Sequence, residues 1–155
     1  MKWMNFCMIR EGNRVVVQDK KKKEGWEGLT FPGGKTEPFE SFQDAVIREV
    51  KEETGLEIAN PEFCGVLQWV YEDGDRDVVF LYRTEEYTGT LLDETDEGPV
   101  FWMDWDEFLQ ADGHAEFMQA YLRVLLDEQV DEAFCLYRKG EDNEFRFYGP
   151  VSHAD

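Results

Sequence analysis

The chain has 155 residues, 42% of them hydrophobic and 15% aromatic, which suits one globular domain spanning residues 1–155 and excludes a disordered chain. Its 16 Lys and Arg against 35 Asp and Glu give a formal net charge of −19. Such a surface repels phosphate polymers and anionic membranes, so neither a nucleic-acid polymer nor a membrane is expected as a partner.

Residues 4–10 and 14–18 are apolar runs around Glu11-Gly12-Asn13, the pattern of a β-hairpin with a glycine-containing turn. The basic run 20–23 follows and reads as a solvated loop, the alternative being a run that steers phosphate toward an acidic protein. Leu29-Thr30-Phe31 reads as a short strand that Pro32-Gly33-Gly34 must stop. Residues 41–54 form the clearest helix. Ser41 with Asp44 resembles an N-terminal cap, Gly55 is a natural stop, and Phe42, Val46, Ile47 and Val50 share one apolar side.

Strand patterns at 62–71 and 78–83 flank the turn-rich stretch 72–77. An acidic loop is expected over 92–99 and a strand over 100–105, with Asp106 capping a short helical turn. Residues 114–128 read as a second long helix carrying Phe117, Tyr121, Val124 and Leu125 at helical spacing. A last hairpin is expected from 134–138 and 144–148. Strands and two helices in this order imply an α/β (α+β) fold, a mixed sheet with helices on its faces.

Cys7, Cys64 and Cys135 form no C-x-x-C pair and sit in apolar strand-like runs, so each is expected to be a buried small hydrophobe. The N-terminus lacks a long apolar segment and no run approaches a membrane span, so a cytoplasmic location is expected. His114 and His153 have no partner motif and are expected in ordinary surface or helix-start roles.

The chemistry is concentrated between Gly34 and Leu56. Glu49, Glu52 and Glu53 are spaced i, i+3 and i+4, within an arc of roughly 100° on one helix side. They repel one another and lie toward the C-terminal end of the helix, the wrong end for negative charge. A cation should compensate them, and a divalent one fits best because it accepts several carboxylate oxygens and bridges to phosphate. Arg48 is placed to orient a carboxylate or to pair with Glu40 through its guanidinium fork. Gly33-Gly34 permits close backbone approach, so that a carbonyl there reaches a metal, and Lys35 follows where a phosphate would lie.

Gly34, Glu40, Arg48, Glu49, Val50, Glu52, Glu53, Gly55 and Leu56 reproduce the Nudix box without a mismatch, and the chain resembles the Nudix hydrolase family. That resemblance implies an α/β/α sandwich on a mixed sheet, with the box as a loop–helix–loop. It also implies hydrolysis of a nucleoside diphosphate linked to another moiety, with Mg²⁺ or Mn²⁺ as cofactor. Carried over by position, Glu52 and Glu53 are metal ligands together with the Gly33 carbonyl. Glu49 is a metal ligand or the general base, held by Arg48. Glu40, Gly34 and Gly55 shape the box. Glu97, just before a strand, is the rival for the base and a further metal ligand.

Beyond the box the chain is similar to the branch containing oxidised-purine dNTP diphosphatases. The cues are Trp26-Glu27-Gly28-Leu29-Thr30-Phe31-Pro32-Gly33-Gly34-Lys35, residues 82–89, and Glu97-Gly98 before Val100-Phe101-Trp102. The implied substrate is a small-molecule (d)NTP such as 8-oxo-dGTP, cleaved to a nucleoside monophosphate and pyrophosphate, with Lys35 meeting phosphate and Trp26 stacking on the base. ADP-ribose, a dinucleoside polyphosphate and a non-catalytic nucleotide-binding module are the alternatives. Glu116, Gln119 and Asp127 offer base-reading groups that no spacing separates. The protein is expected as a monomer or homodimer.

Overall fold

The computed structural model describes residues 1–21 and 27–150. In chain order the strands begin with β1 (Lys2–Glu11), β2 (Arg14–Lys20), β3 (Gly28–Thr30) and β4 (Gly33–Lys35). Helix α1 (Phe42–Thr54) follows, then β5 (Glu57–Ala59), β6 (Glu62–Val70), β7 (Arg76–Thr84) and β8 (Glu86–Thr88). Next come β9 (Glu94–Thr95), β10 (Gly98–Asp104), α2 (Trp105–Gln110), α3 (Met118–Leu126), β11 (Glu132–Leu136) and β12 (Arg146–Tyr148).

The main sheet is mixed, ordered β12-β11-β6-β7-β1-β2-β10-β9, with β1 and β7 parallel. α1 covers one face, where Val46 and Val50 meet Cys7, Ile9, Val16 and Tyr82. α2 and α3 cover the other, where Phe108, Tyr121, Val124 and Leu125 meet Phe6, Met8, Phe31, Leu67 and Leu81. The expected α/β/α sandwich is built on central strands buried on both faces, with near-continuous buried runs in β1, β2 and β7.

A divergence inside this sheet makes room for chemistry. β1 and β2 pair only at Arg10↔Val15 and Glu11↔Arg14, next to the hairpin turn. Further along, β1 takes β4 as partner through Met4↔Lys35, Asn5↔Gly34 and Phe6↔Gly33. β2 instead pairs with β3 and β10. The segment 28–35 therefore crosses from one diverging strand to the other, and its Gly33-Gly34 turn lands beside α1.

The α1 boundaries follow the sequence signals. Ser41 Oγ accepts from Asp44 N at 3.0 Å, and Gly55 adopts φ 80 with its N–H bonded to the Lys51 carbonyl. Several expectations need correction. The short helix α2 is capped by Asp104, not Asp106, with Asp104 Oδ1 accepting from Glu107 N at 3.0 Å. The second long helix starts at Met118 rather than 114, because Leu29 exchanges backbone hydrogen bonds with Gly113 and Ala115. Phe117 then turns the chain at φ 72, a left-handed value no α-helix propagates. His114 bonds the Phe108 carbonyl at 2.6 Å, a structural role.

The acidic loop contains β9, which folds back on Gly98 and Pro99. Cys7 and Cys135 are buried as expected, whereas Cys64 is only partly so. The basic run departs from a solvated loop at its first residue: Lys20 ends β2 and is 6% exposed, while Lys21 is exposed as expected. Lys22, Lys23 and Trp26 lie outside the described residues, as does His153.

Gly65 marks a bulge where β6 passes β7, with φ 148 and the Asp131 carbonyl directly where a Cβ would stand. Gly65→Ala should therefore lower unfolding stability in urea by about 2 kcal/mol or more with an unchanged m-value. A loss under about 0.5 kcal/mol, the range of neutral surface changes, would contradict that close packing.

Candidate active site

One guanidinium organises the site. Arg48 donates through Nε and Nη2 to the two oxygens of Glu40 at 3.1 and 2.7 Å, a fork-on-carboxylate pair. Nη2 also reaches the Lys35 carbonyl at 2.9 Å, and Nη1 reaches Glu49 Oε1 at 2.8 Å and Glu52 Oε2 at 3.3 Å. Glu40 accepts from Glu37 N at 2.8 Å as well. The Arg48 hydrogen bond and the Glu37 amide hold the Glu40 carboxyl below the usual carboxylate range. Glu40 in turn holds Arg48 still more firmly protonated. The loop between β4 and α1 is thereby tied to the helix that follows it.

Beside this hub runs a groove of about 380 Å³, lined among others by Lys20, Gly33, Lys35, Glu49, Glu53 and Glu97. The carbonyl side of the turn is fixed from below, since Gly34 N donates to Asn5 Oδ1 at 3.1 Å. A Cβ at Gly34 would collide with the Glu49 carboxylate, and one at Gly33 with the Asn5 carbonyl. Backbone contact requires the glycine at Gly33, and the glycine at Gly34 leaves the Glu49 carboxylate where it stands. Glu53 accepts from Gln18 Nε2 at 2.7 Å. Glu97 stands at the turn between β9 and β10, with Lys20 Nζ 3.7 Å from its Oε2 and Lys21 N 3.0 Å from its carbonyl.

Burial and crowded carboxylates set the electrostatics of the site, against partial compensation from Arg48 and Lys20. Burial pushes the Glu49 carboxyl up, Arg48 offsets part of this, and repulsion from Glu52 adds to it. Burial likewise raises Glu53; the Gln18 hydrogen bond and Lys20 oppose the rise, and Glu97 and Glu49 reinforce it. The sequence-derived residues thus divide. Glu49, Glu53, Glu97, Gly33 and Lys35 share the groove. Glu52 does not join the expected cluster: its side chain is 58% exposed and turned to Arg48. Gly55 serves as a helix stop. Gln119 and Asp127 lie along the outer side of α3, where Asp127 pairs with Arg123 at 3.4 Å.

Sequence reasoning missed Asn5, Gln18 and Thr95. The available signal was polarity at inward positions: Asn5 interrupts an apolar strand and Gln18 follows three valines. Only 1% of Asn5 and none of Gln18 is exposed.

The donor set suits a hard divalent cation. Carboxylates from α1 and from the β9–β10 turn line one groove with the Gly33-Gly34 backbone, all of them hard oxygen donors. Among the described residues no three acidic, His or Cys side chains form a closed cage. Glu49 and Glu53 are turned instead to Arg48 and Gln18.

The NUDIX domain profile matches residues 3–125, and the chain belongs to the Nudix hydrolase family. It is a pyrophosphohydrolase acting on nucleoside diphosphate-linked compounds, in a family that is generally divalent-metal dependent. It is 35% identical over 117 residues to the uncharacterised Nudix hydrolase YvcI of Bacillus subtilis, covering 70% of this chain and 72% of that protein. A 60-residue stretch is 50% identical to B. subtilis YtkD, which carries the provisional name 8-oxo-dGTP diphosphatase; it covers 39% of this chain and 35% of YtkD. The crystal structure of the mutator MutT protein from Bacillus halodurans superposes with a TM-score of 0.80 at 26% identity, covering 95% and 97% of the two chains.

Because Glu53 binds a proton more readily folded than unfolded, its ionised form costs stability at neutral pH. That cost fades as pH falls through the raised pKa toward the unfolded value. Glu53→Gln should accordingly raise the Tm of the metal-free protein at pH 7, with the gain shrinking as pH falls toward the unfolded value and gone below about pH 4. A lowered Tm at pH 7 would show that the carboxylate stabilises the fold.

Proposed function

We propose that this Nudix hydrolase is a (d)NTP diphosphatase that releases a nucleoside monophosphate and pyrophosphate, with an oxidised purine nucleotide such as 8-oxo-dGTP as substrate. The observation that carries the reading is the groove itself. It sets Lys35 and buried Lys20 among Glu49, Glu53 and Glu97, a charged groove suited to a phosphate chain. The YtkD stretch and the MutT structure support the nucleotide class.

Glu53, Glu97 and the Gly33 carbonyl would hold Mg²⁺ or Mn²⁺, with Glu52 at the rim. Such a cation, when bound, neutralises phosphate charge and acidifies water in its coordination sphere. Glu49 takes one proton from the attacking water. Burial raises its proton affinity, and Arg48 holds one of its oxygens in place. The water oxygen bonds to phosphorus as the anhydride P–O bond breaks in line, and pyrophosphate leaves with the bonding pair. Lys20 and Lys35 meet phosphate oxygens. Lys20 takes the phosphate-steering role that the sequence assigned to the whole basic run.

A Mg²⁺-dependent panel of dGTP, 8-oxo-dGTP, other dNTPs, ADP-ribose and diadenosine polyphosphates, with products resolved by chromatography, tests the assignment. The expected result is pyrophosphate release with the highest kcat/KM for 8-oxo-dGTP. Preference for ADP-ribose, giving AMP and ribose phosphate, would overturn the substrate and keep the chemistry. On the preferred substrate, Glu53→Gln should lower kcat by about 10²-fold or more in a folded protein. Arg48→Lys keeps the charge and loses the fork, so it should lower kcat on the order of tenfold or more. Near-normal rates in both variants would refute the site.

A further inference from the structure

The buried amide of Gln18 joins the two parts of the chain that carry the groove carboxylates. Gln18 lies on β2, between β3 at Thr30 and β10 at Val100, on the face where neighbouring Val16 packs under α1. Its Nε2 donates both to Glu53 Oε2, at 2.7 Å, and to Thr95 Oγ1, at 3.2 Å. The Thr95 hydroxyl then holds its own turn: it accepts from Glu97 N at 3.2 Å and lies 3.3 Å from the Gly98 carbonyl. A continuous path therefore runs from Glu53 on α1, through Gln18 and Thr95, to the backbone of Glu97. These two acids are 44 residues apart in the chain, and no covalent feature fixes their spacing.

The amide orientation follows from the partners. Nε2 against a carboxylate and a hydroxyl gives donor-to-acceptor contacts, while the flipped amide would set Oε1 against the Glu53 carboxylate. The observed orientation leaves Gln18 Oε1 buried without a partner. A buried unmet acceptor costs stability, and Val15, Val16 and Val17 show that this strand accommodates apolar side chains at fully buried positions. Stability alone disfavours glutamine here.

We infer that Gln18 is a positioning residue, which with the Thr95 hydroxyl sets the separation and orientation of Glu53 and Glu97 so that both can hold one divalent cation. The inference rests on the metal-site reading above and adds residues outside the Nudix box to it. It assigns Gln18 no contact with substrate or with the reacting atoms.

The test is Mn²⁺ binding to the substrate-free protein, followed by the loss of the free-ion paramagnetic signal, together with thermal melts of the metal-free variants. Gln18→Met, of similar length but with no donor, should melt at or above the wild-type temperature while Mn²⁺ affinity falls on the order of tenfold. Thr95→Val should weaken Mn²⁺ in the same direction, and Thr95→Ser, which keeps the hydroxyl, should bind as the wild type does. Combining Gln18→Met with Thr95→Val should cost little more than Gln18→Met alone, because both cut one path. Wild-type Mn²⁺ affinity in folded Gln18→Met, or fully additive losses in the double variant, would overturn the bridge and leave the catalytic reading standing. A wild-type protein that binds no Mn²⁺ would overturn the metal-site reading and the bridge with it. Inactivity toward every nucleotide alongside the expected binding pattern would refute the proposed diphosphatase activity and leave the bridge standing.

Discussion

The Arg48 guanidinium is the constraint on which the site depends. Its five N–H groups lie in one rigid plane, and here they meet Glu40, Glu49, Glu52 and the Lys35 carbonyl. A lysine in the same place would supply the charge but not the simultaneous directions. Because Glu40 and Lys35 flank the loop between β4 and α1, fixing them sets how the Gly33-Gly34 turn faces the helix. Glu49 is then pressed against Gly34, so that a side chain there would displace its carboxylate.

That packing concentrates negative charge where water is scarce. Glu49 and Glu53 are both driven toward protonation by burial, and neighbouring carboxylates push in the same direction. The surrounding fold tolerates this because its apolar layers lie elsewhere. Val46 and Val50 anchor α1 to the sheet, and Phe31, Phe108 and Tyr121 fill the opposite layer. The strain is thus local and electrostatic, the kind that a bound cation and a phosphate chain relieve. Stability and function pull in opposite directions at these few positions.

Sequence and structure agree most closely where the signal is local. The α1 limits at Ser41 and Gly55 rest on hydrogen bonds spanning three or four residues, so residue order alone places them. The Glu40–Arg48 pair is eight residues apart and crosses one loop, which the box spacing already encodes. The start of α3 was misplaced because Leu29, some 85 residues earlier, captures the backbone around His114. The burial of Lys20 has the same long-range origin. A run of lysines reads as solvated until a distant acidic turn covers the first of them.

Amino-acid order by itself determined the Nudix box, the helix that carries it, the mixed sheet with helices on both faces and the reaction class. The box, its helix and the layered sheet follow from short-range spacing of charge, glycine and apolar residues, and the reaction class follows from the resemblance of that box to the Nudix family. Tertiary structure alone decided which acids share the groove: Glu97 enters and Glu52 turns outward. It also decided that Asn5 and Gln18 stand beneath them. The physical reason is the divergence of β1 and β2. Strand partners chosen across long stretches of chain open that gap, and only its closing by the segment 28–35 and the β9–β10 turn brings these side chains together.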